Sequence, residues 1–221
     1  MLNTTTLQFL TNLNDNNNRD WFHEHKMDYN AAKENVLELT AQIITNLAEK
    51  DASFASIVPN KCLFRIYRDV RFSKDKTPYK PHFGIVMVPG GRKSTNAGFY
   101  LRIKPNGHSF WAGGAFQPDS KALKAIRQEI DYNGQEFKTI LENTNFKKHF
   151  PNLSGDSLIT TPRGYSKDHT YIEYLRYKSY IVTKSINDSA FLKKNFITNT
   201  LKIYDIIRPF NNFLNKAMYE L

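Results

Sequence analysis

Four short segments, near residues 62 to 67, 82 to 88, 97 to 104 and 108 to 113, alternate apolar and polar residues one after another. A period of two sends successive side chains to opposite faces of a half-buried strand, so the run reads as consecutive antiparallel strands. Asn106-Gly107, between the last two, is the strongest short signal for a tight hairpin, because both positions accept a positive φ. Helical patterns enclose the run. A short helix is expected from about Thr4 to Asn12, with Leu7, Phe9 and Leu10 on its apolar face, and the Asn-rich break at Asn14 to Asn18 ends it. From Arg19 to about Glu49, Phe22, Tyr29, Val36, Ile43 and Leu47 recur at helical spacing and predict one long amphipathic helix. Asp119 opens a helix through Ile130, a second helical stretch runs from about Gly134 to Leu141, and Asp188 caps a terminal helix that Pro209 kinks or restarts. Residues 146 to 179 mix turn residues with aromatics and read as a long ordered loop before a strand at Tyr180 to Thr183. Helices at both ends around consecutive strands give an α+β fold, a largely antiparallel sheet with N- and C-terminal helices packed on it.

The length of 221 residues and the lack of a low-complexity linker predict one domain over residues 1–221. A hydrophobic fraction of 40% supplies a sizeable core and argues against disorder. No run approaches the roughly 18 apolar residues of a membrane-spanning helix, and the N-terminus lacks a signal-peptide pattern, so a soluble cytoplasmic protein with no membrane partner is expected. The single cysteine, Cys62, excludes an internal disulfide and a multi-cysteine zinc site, and reads as a small core residue. A net charge of +10 biases the surface toward polyanions, although the lysines are scattered from Lys26 to Lys216 and part of the excess is solvated helix face.

Charge concentrates between Arg65 and His82. Three arginines at 65, 68 and 71 and three lysines at 74, 76 and 80 face only two carboxylates, Asp69 and Asp75, so four cations need acids from elsewhere or an external anion. Guanidinium forks and ammonium groups suit phosphate or carboxylate ligands. The candidate site is an anion pocket with Arg65, Arg68, Arg71 and Lys76 as donors, Tyr79 and His82 as further hydrogen-bonding groups, and Asp69 orienting one guanidinium. If residues 62 to 67 form a strand, Cys62, Phe64 and Ile66 point one way and Leu63, Arg65 and Tyr67 the other, so Arg102 shares a polar face with Arg65. The competing reading is structural: Asp69 and Asp75 pair with neighbouring arginines and hold a loop against the sheet.

The pattern Arg65-x-x-Arg68-Asp69-x-Arg71-Phe72-x-x-x-Lys76-x-x-Tyr79 resembles the signature of an uncharacterised bacterial family, domain of unknown function 2461. Asn17-Asn18-Arg19-Asp20-Trp21-Phe22, Thr77 through Gly84, and Pro162-Arg163-Gly164-Tyr165 also resemble family segments, so the similarity spans nearly the whole chain. The resemblance implies no activity. It marks the place where chemistry is sought, and the biological role stays open.

Other constellations are weaker. Asp69, Asp75, His82 and Asp168-His169 are candidates to gather a divalent metal for phosphoester processing with Lys76 stabilising the developing charge, but no ligand spacing supports a metal site and no cofactor is identified. His23 and His25, two apart on a helix, face different directions. Gly90-Gly91-Arg92 and Gly113-Gly114 lack the spacing of a nucleotide-binding loop. Tyr100 and Trp111, expected outward, and Phe99 and Phe110, expected inward, interleave with Arg102 and Lys104 in a pattern able to stack bases over a basic sheet. The expected partner is therefore an anionic small molecule, phosphorylated species included, or nucleic acid.

Overall fold

A computed structural model describes residues 1–92 and 94–219. Its helices are α1 (Thr4–Asp15), α2 (Arg19–Glu24), α3 (Lys26–Lys50), α4 (Pro59–Cys62), α5 (Ser120–Glu142), α6 (Thr144–His149), α7 (Ile172–Leu175), α8 (Asp188–Phe191) and α9 (Phe196–Met218). Its strands are β1 (Phe83–Met87), β2 (Gly98–Ile103), β3 (Ser109–Ala115) and β4 (Tyr180–Ile186), which form one antiparallel sheet in the order β1-β2-β3-β4. The fold is α+β, as the sequence predicts. The described residues gather into two compact units: Met1–Arg92, Tyr100–Trp111 and Ser185–Lys202 in the first, and 94–99, Ala112–Lys184 and 203–219 in the second.

In the first unit α1 packs along α3. Leu10 and Leu13 of α1 and Val36, Leu39, Ile43 and Leu47 of α3 are almost wholly buried. Each such side chain contributes about 1.5 to 3 kcal/mol on leaving water. The start of α1 is secured from outside itself: Asn3 makes no side-chain cap, and the Asn35 carboxamide oxygen of α3 accepts from the Asn3 amide at 2.7 Å and the Thr6 hydroxyl at 3.0 Å. The long helix expected from Arg19 to Glu49 is instead two, broken at His25 (φ −100°, ψ 26°), whose ring stacks on Trp21 at 4.0 Å. Periodicity survives the break, which is why the sequence does not show it.

Tyr29 of α3 lies 6.4 Å from Phe83, which places the helix on the face of β1 that carries Phe83, Ile85 and Met87. Leu101 and Ile103 continue that apolar face on β2, while His82, Gly84, Tyr100, Arg102 and Phe110 alternate against it. The predicted hairpin is present: Asn106 and Gly107 have φ of 64° and 75°. Asp188, expected to cap the terminal helix, serves this hairpin, accepting from the Asn106 and Gly107 amides at 2.7 and 3.3 Å. It begins the separate short α8, and the terminal helix α9 starts at Phe196 and runs on through Pro209.

In the second unit the two helical stretches predicted from 119 to 141 are one helix, α5, kinked at Asn133 (φ −120°, ψ 30°). Gly134 follows the kink, where a Cβ would stand 2.2 Å from the Tyr171 ring, so only glycine lets that ring close down. Residues 146 to 179 contain the end of α6 and all of α7, and are pinned by polar contacts to α5. Arg127 donates to the Leu175 and Tyr177 carbonyls at 2.8 and 3.1 Å, and His169 Nε2 meets Asp131 at 2.8 Å. Phe137 packs against Phe210 and Phe213 in the core of this unit.

Candidate functional site

The expected strand at 62 to 67 is not one. Cys62 ends α4, and burial pushes its thiol up to about 11, the state of a buried, unreactive core residue. Beyond it Leu63 and Tyr67 make isolated antiparallel bridges to Ile85 and Tyr79. The amides of Phe64, Lys80 and Arg68 donate to Gly84, Ile66 and Pro78 carbonyls at 2.9, 2.8 and 2.9 Å, so residues 63 to 68 and 78 to 85 form an irregular two-stranded arm. Irregularity shifts the side-chain phase: Leu63 and Ile66 are buried, whereas Phe64 turns outward, against expectation. Arg65 is exposed.

Tyr79 roots this arm. Its ring stacks on Phe22 with centroids 3.9 Å apart, and only 6% of the residue is exposed. The Asn17 side chain clamps its backbone, donating to the carbonyl at 3.0 Å and accepting from the amide at 3.1 Å. Lys26 lies 5.1, 4.8 and 5.9 Å from the Phe22, Tyr29 and Tyr67 ring centroids and completes the seat. Tyr79 thus sits in packing, with its phenol pushed up by burial.

Between the two sides of the arm, residues 69 to 77 form a loop that settles its own charges. Arg68 bonds Asp75, Thr77 and Ser73. Asp75 also accepts from the Thr77 amide at 2.9 Å and hydroxyl at 2.8 Å, and these bonds, the amide first, hold its carboxyl at about 2. Arg71 forks onto Asp69 at 2.9 and 2.7 Å, and Lys76 donates to the Val70 carbonyl at 2.9 Å. Phe72 stands 97% exposed, with the Arg71 guanidinium 5.9 Å from its centroid.

The outer face of β1 and β2 differs. His82 is half-buried and pushed down to about 4, first by burial and then by the positive charges of Arg102, Lys80 and Lys104. Its Nδ1 and the Arg102 Nε are buried without a hydrogen-bond partner among the described residues. Lys80 is itself depressed by burial, with Arg65 and Arg68 adding to the effect, and its ammonium donates to the Arg65 carbonyl at 3.2 Å. Among the described residues, Arg65, Lys80, Arg92, Arg102 and Lys104 form no ion pair. Aromatic rings lie between these cations. Tyr100 is 6.5 Å from Phe64 and 5.9 Å from Phe110, centroid to centroid, and it crosses the strand at Gly84, where a Cβ would be 2.7 Å from its hydroxyl. Lys80 and Arg92 flank Phe64 at 5.9 and 5.5 Å, and Arg102 flanks Phe110 at 5.6 Å. Trp111, expected outward, is buried against Phe196, and Phe110, expected inward, lies on the Tyr100 face.

Of the predicted site residues, then, His82 and Arg102 stand together, linked through Lys80 to Arg65. Arg68, Asp69, Arg71 and Lys76 form the self-paired loop, and Tyr79 anchors it. The sequence reading left Lys80, Arg92 and Lys104 out of the anion site and Phe64 out of the ring row. Alternation already held part of the signal, since the spacing that sets Arg102 outward sets Tyr100 and Lys104 beside it. Among the described residues no group of three or more His, Cys, Asp or Glu side chains is placed to hold a metal ion, and no helix is long and apolar enough to cross a membrane.

No curated protein and no solved structure matches the chain. The family described as Conserved hypothetical protein (DUF2461) matches residues 5–213 of the 221, so nearly all of the segments described above lie within it, and the chain belongs to that family.

Proposed function

We propose that the chain binds an anionic, phosphorylated ligand on the outer face of β1 and β2, with Arg102, His82 and Lys80 as the inner donors and Arg65 and Lys104 at the rim. The observation that carries this reading is the pair of buried nitrogens, His82 Nδ1 and Arg102 Nε, left without partners among the described residues, where several cations gather and no described carboxylate pairs with them. A buried polar atom without a partner costs free energy, and so does packing like charges together. An anion at this place relieves both costs. For the neighbouring loop a second reading is favoured: the pairing of Arg68 with Asp75 and of Arg71 with Asp69 makes that part of the signature a scaffold.

Sulfate titration followed by thermal unfolding tests the proposal, because a ligand bound only by the folded state raises the melting temperature by mass action. A saturable rise that Arg102→Gln abolishes is expected. No saturable rise up to millimolar sulfate overturns the reading.

A further inference from the structure

We infer that the anion held on this face is the phosphodiester backbone of single-stranded nucleic acid, whose bases lie on the Phe64, Tyr100 and Phe110 rings. This rests on the anion-binding reading of the same face and names its ligand. The cations reach past His82, on which Arg102, Lys80 and Lys104 act, as far as Arg92 beside Phe64, so the basic surface continues beyond the place of one phosphate. Lys80 and Arg92 lie over the Phe64 ring and Arg102 over the Phe110 ring. Cations and rings are thus interleaved across the face, as phosphates and bases are along a strand. The rings are tilted by 60° and 45° to one another, so they do not spend their faces stacking among themselves. Phe64 remains exposed, Tyr100 and Phe110 are half-buried, and among the described residues no cation lies over the Tyr100 ring, which leaves ring surface for a base. Base stacking on an aromatic side chain tolerates any sequence, and a basic surface that tracks the backbone needs no deep cavity. Two cavities, of about 430 and 330 Å³, are lined by residues between Thr139 and Tyr219, none of them on this face. A duplex hides its base faces, so the ring row selects for a single strand.

The test is fluorescence anisotropy with a labelled oligothymidylate of about 12 nucleotides, within the site sizes of single-strand binders. An abasic strand of equal length and a duplex serve as comparisons, with sulfate protection measured in parallel. The thymidylate strand is expected to bind about tenfold tighter than either comparison strand, with affinity falling steeply as salt rises. Tyr100→Leu, which keeps apolar bulk in the half-buried position, and Phe64→Leu at the exposed end are each expected to erase the preference over the abasic strand. Equal binding of thymidylate and abasic strands by the wild type overturns the inference, as does a duplex bound as tightly as the single strand. If no strand binds while sulfate still protects saturably, the nucleic-acid inference falls and the anion reading stands. If sulfate fails as well, both fall.

Discussion

The loop from Arg68 to Thr77 and the outer face of β1 and β2 are both basic, yet they treat charge in opposite ways. In the loop each arginine finds a carboxylate within seven residues: Arg71 takes Asp69, and Arg68 takes Asp75. On the sheet face Lys80, Arg92, Arg102 and Lys104 come from an arm, a turn and a strand end, and none meets an acid among the described residues. Most of the loop's charges are exposed, Arg71 at 76% and Asp75 at 60%, and its half-buried arginine, Arg68, has a carboxylate, whereas the face keeps His82 and Arg102 half-buried with none among the described residues. A surplus of positive charge in water is cheap, and the same surplus against a sheet is not. On the proposed reading, cations kept there without acids are answered by an anion from outside the chain.

The largest effect belongs to the root they share. Tyr79→Ala removes a buried ring stacked on Phe22 and is expected to cost about 3 to 4 kcal/mol, roughly 6 to 16 °C of melting temperature for a chain of this size. Sulfate affinity, measured well below that transition, should stay within about twofold of wild type. A large loss of affinity in the folded variant would return Tyr79 to the binding site. Next comes the crossed pair. Arg102→Gln is expected to lower sulfate affinity about tenfold or more while leaving the melting temperature unchanged or raised, since it relieves a like-charge cluster. Arg68→Gln should do the reverse, a fall of roughly 2 to 4 °C with affinity within about twofold. If the two variants behave alike, loop and face are one site and the comparison breaks.

A smaller effect is read by pH. The His82 imidazole is pushed down to about 4 in the folded chain, from 6.5 when unfolded, so between those values the unfolded chain binds more protons. Stability from this residue is present above pH 6.5 and lost as pH falls toward 4, by about 1 to 2 kcal/mol once screening at a half-buried ring is allowed for. The Asp75 carboxyl, held at about 2, adds its loss only at lower pH, from near 3.8 downward. Denaturant unfolding at intervals from pH 7 to pH 4 should show the decline, and His82→Asn should flatten it. Sulfate, by pairing with the protonated imidazole, should oppose the decline and bind more tightly at pH 5 than at pH 7. A wild-type profile flat over this window would mean that the ring is not held neutral.

These differences bear on what the sequence could reveal. Strand alternation and the Asn106-Gly107 turn were readable because they are local: a period of two and two positive φ values need no tertiary partner. So was the separation of Tyr100 and Arg102 from Leu101 and Ile103. The arm at 63 to 68 was not, because isolated bridges to Ile85 and Tyr79 replace a continuous ladder and reset the phase, turning Phe64 out and Leu63 in. Asp188 looked like a helix cap because the hairpin it serves lies more than 80 residues away. The same reason hid the boundary between loop and face. Counting six cations against two acids from Arg65 to His82 treats the segment as one pool, but hydrogen bonds close the account locally in the loop and leave it open on the sheet.

The smallest predicted effect asks whether pairing alone separates the two regions. Asp69 lies below the usual carboxylate range because Arg71 bonds it, through the side chain first and then the backbone amide. Both groups are largely exposed, and an exposed pair in physiological salt contributes little. Asp69→Asn is therefore expected to leave the melting temperature within about a degree of wild type at pH 7, with any difference vanishing at high salt. The variant frees the Arg71 guanidinium and enlarges the loop's positive surplus without burying anything. If lack of a carboxylate were enough to make an anion site, a second saturable sulfate site would appear beside the first. The expectation is that none does, because a guanidinium that is 76% exposed keeps its water and gains little by exchanging it for an anion. Appearance of that second site would show that carboxylates alone mask the loop. Its absence would leave burial, which Arg102 and His82 have and Arg71 lacks, as the property that turns a surplus of charge into a place for a ligand.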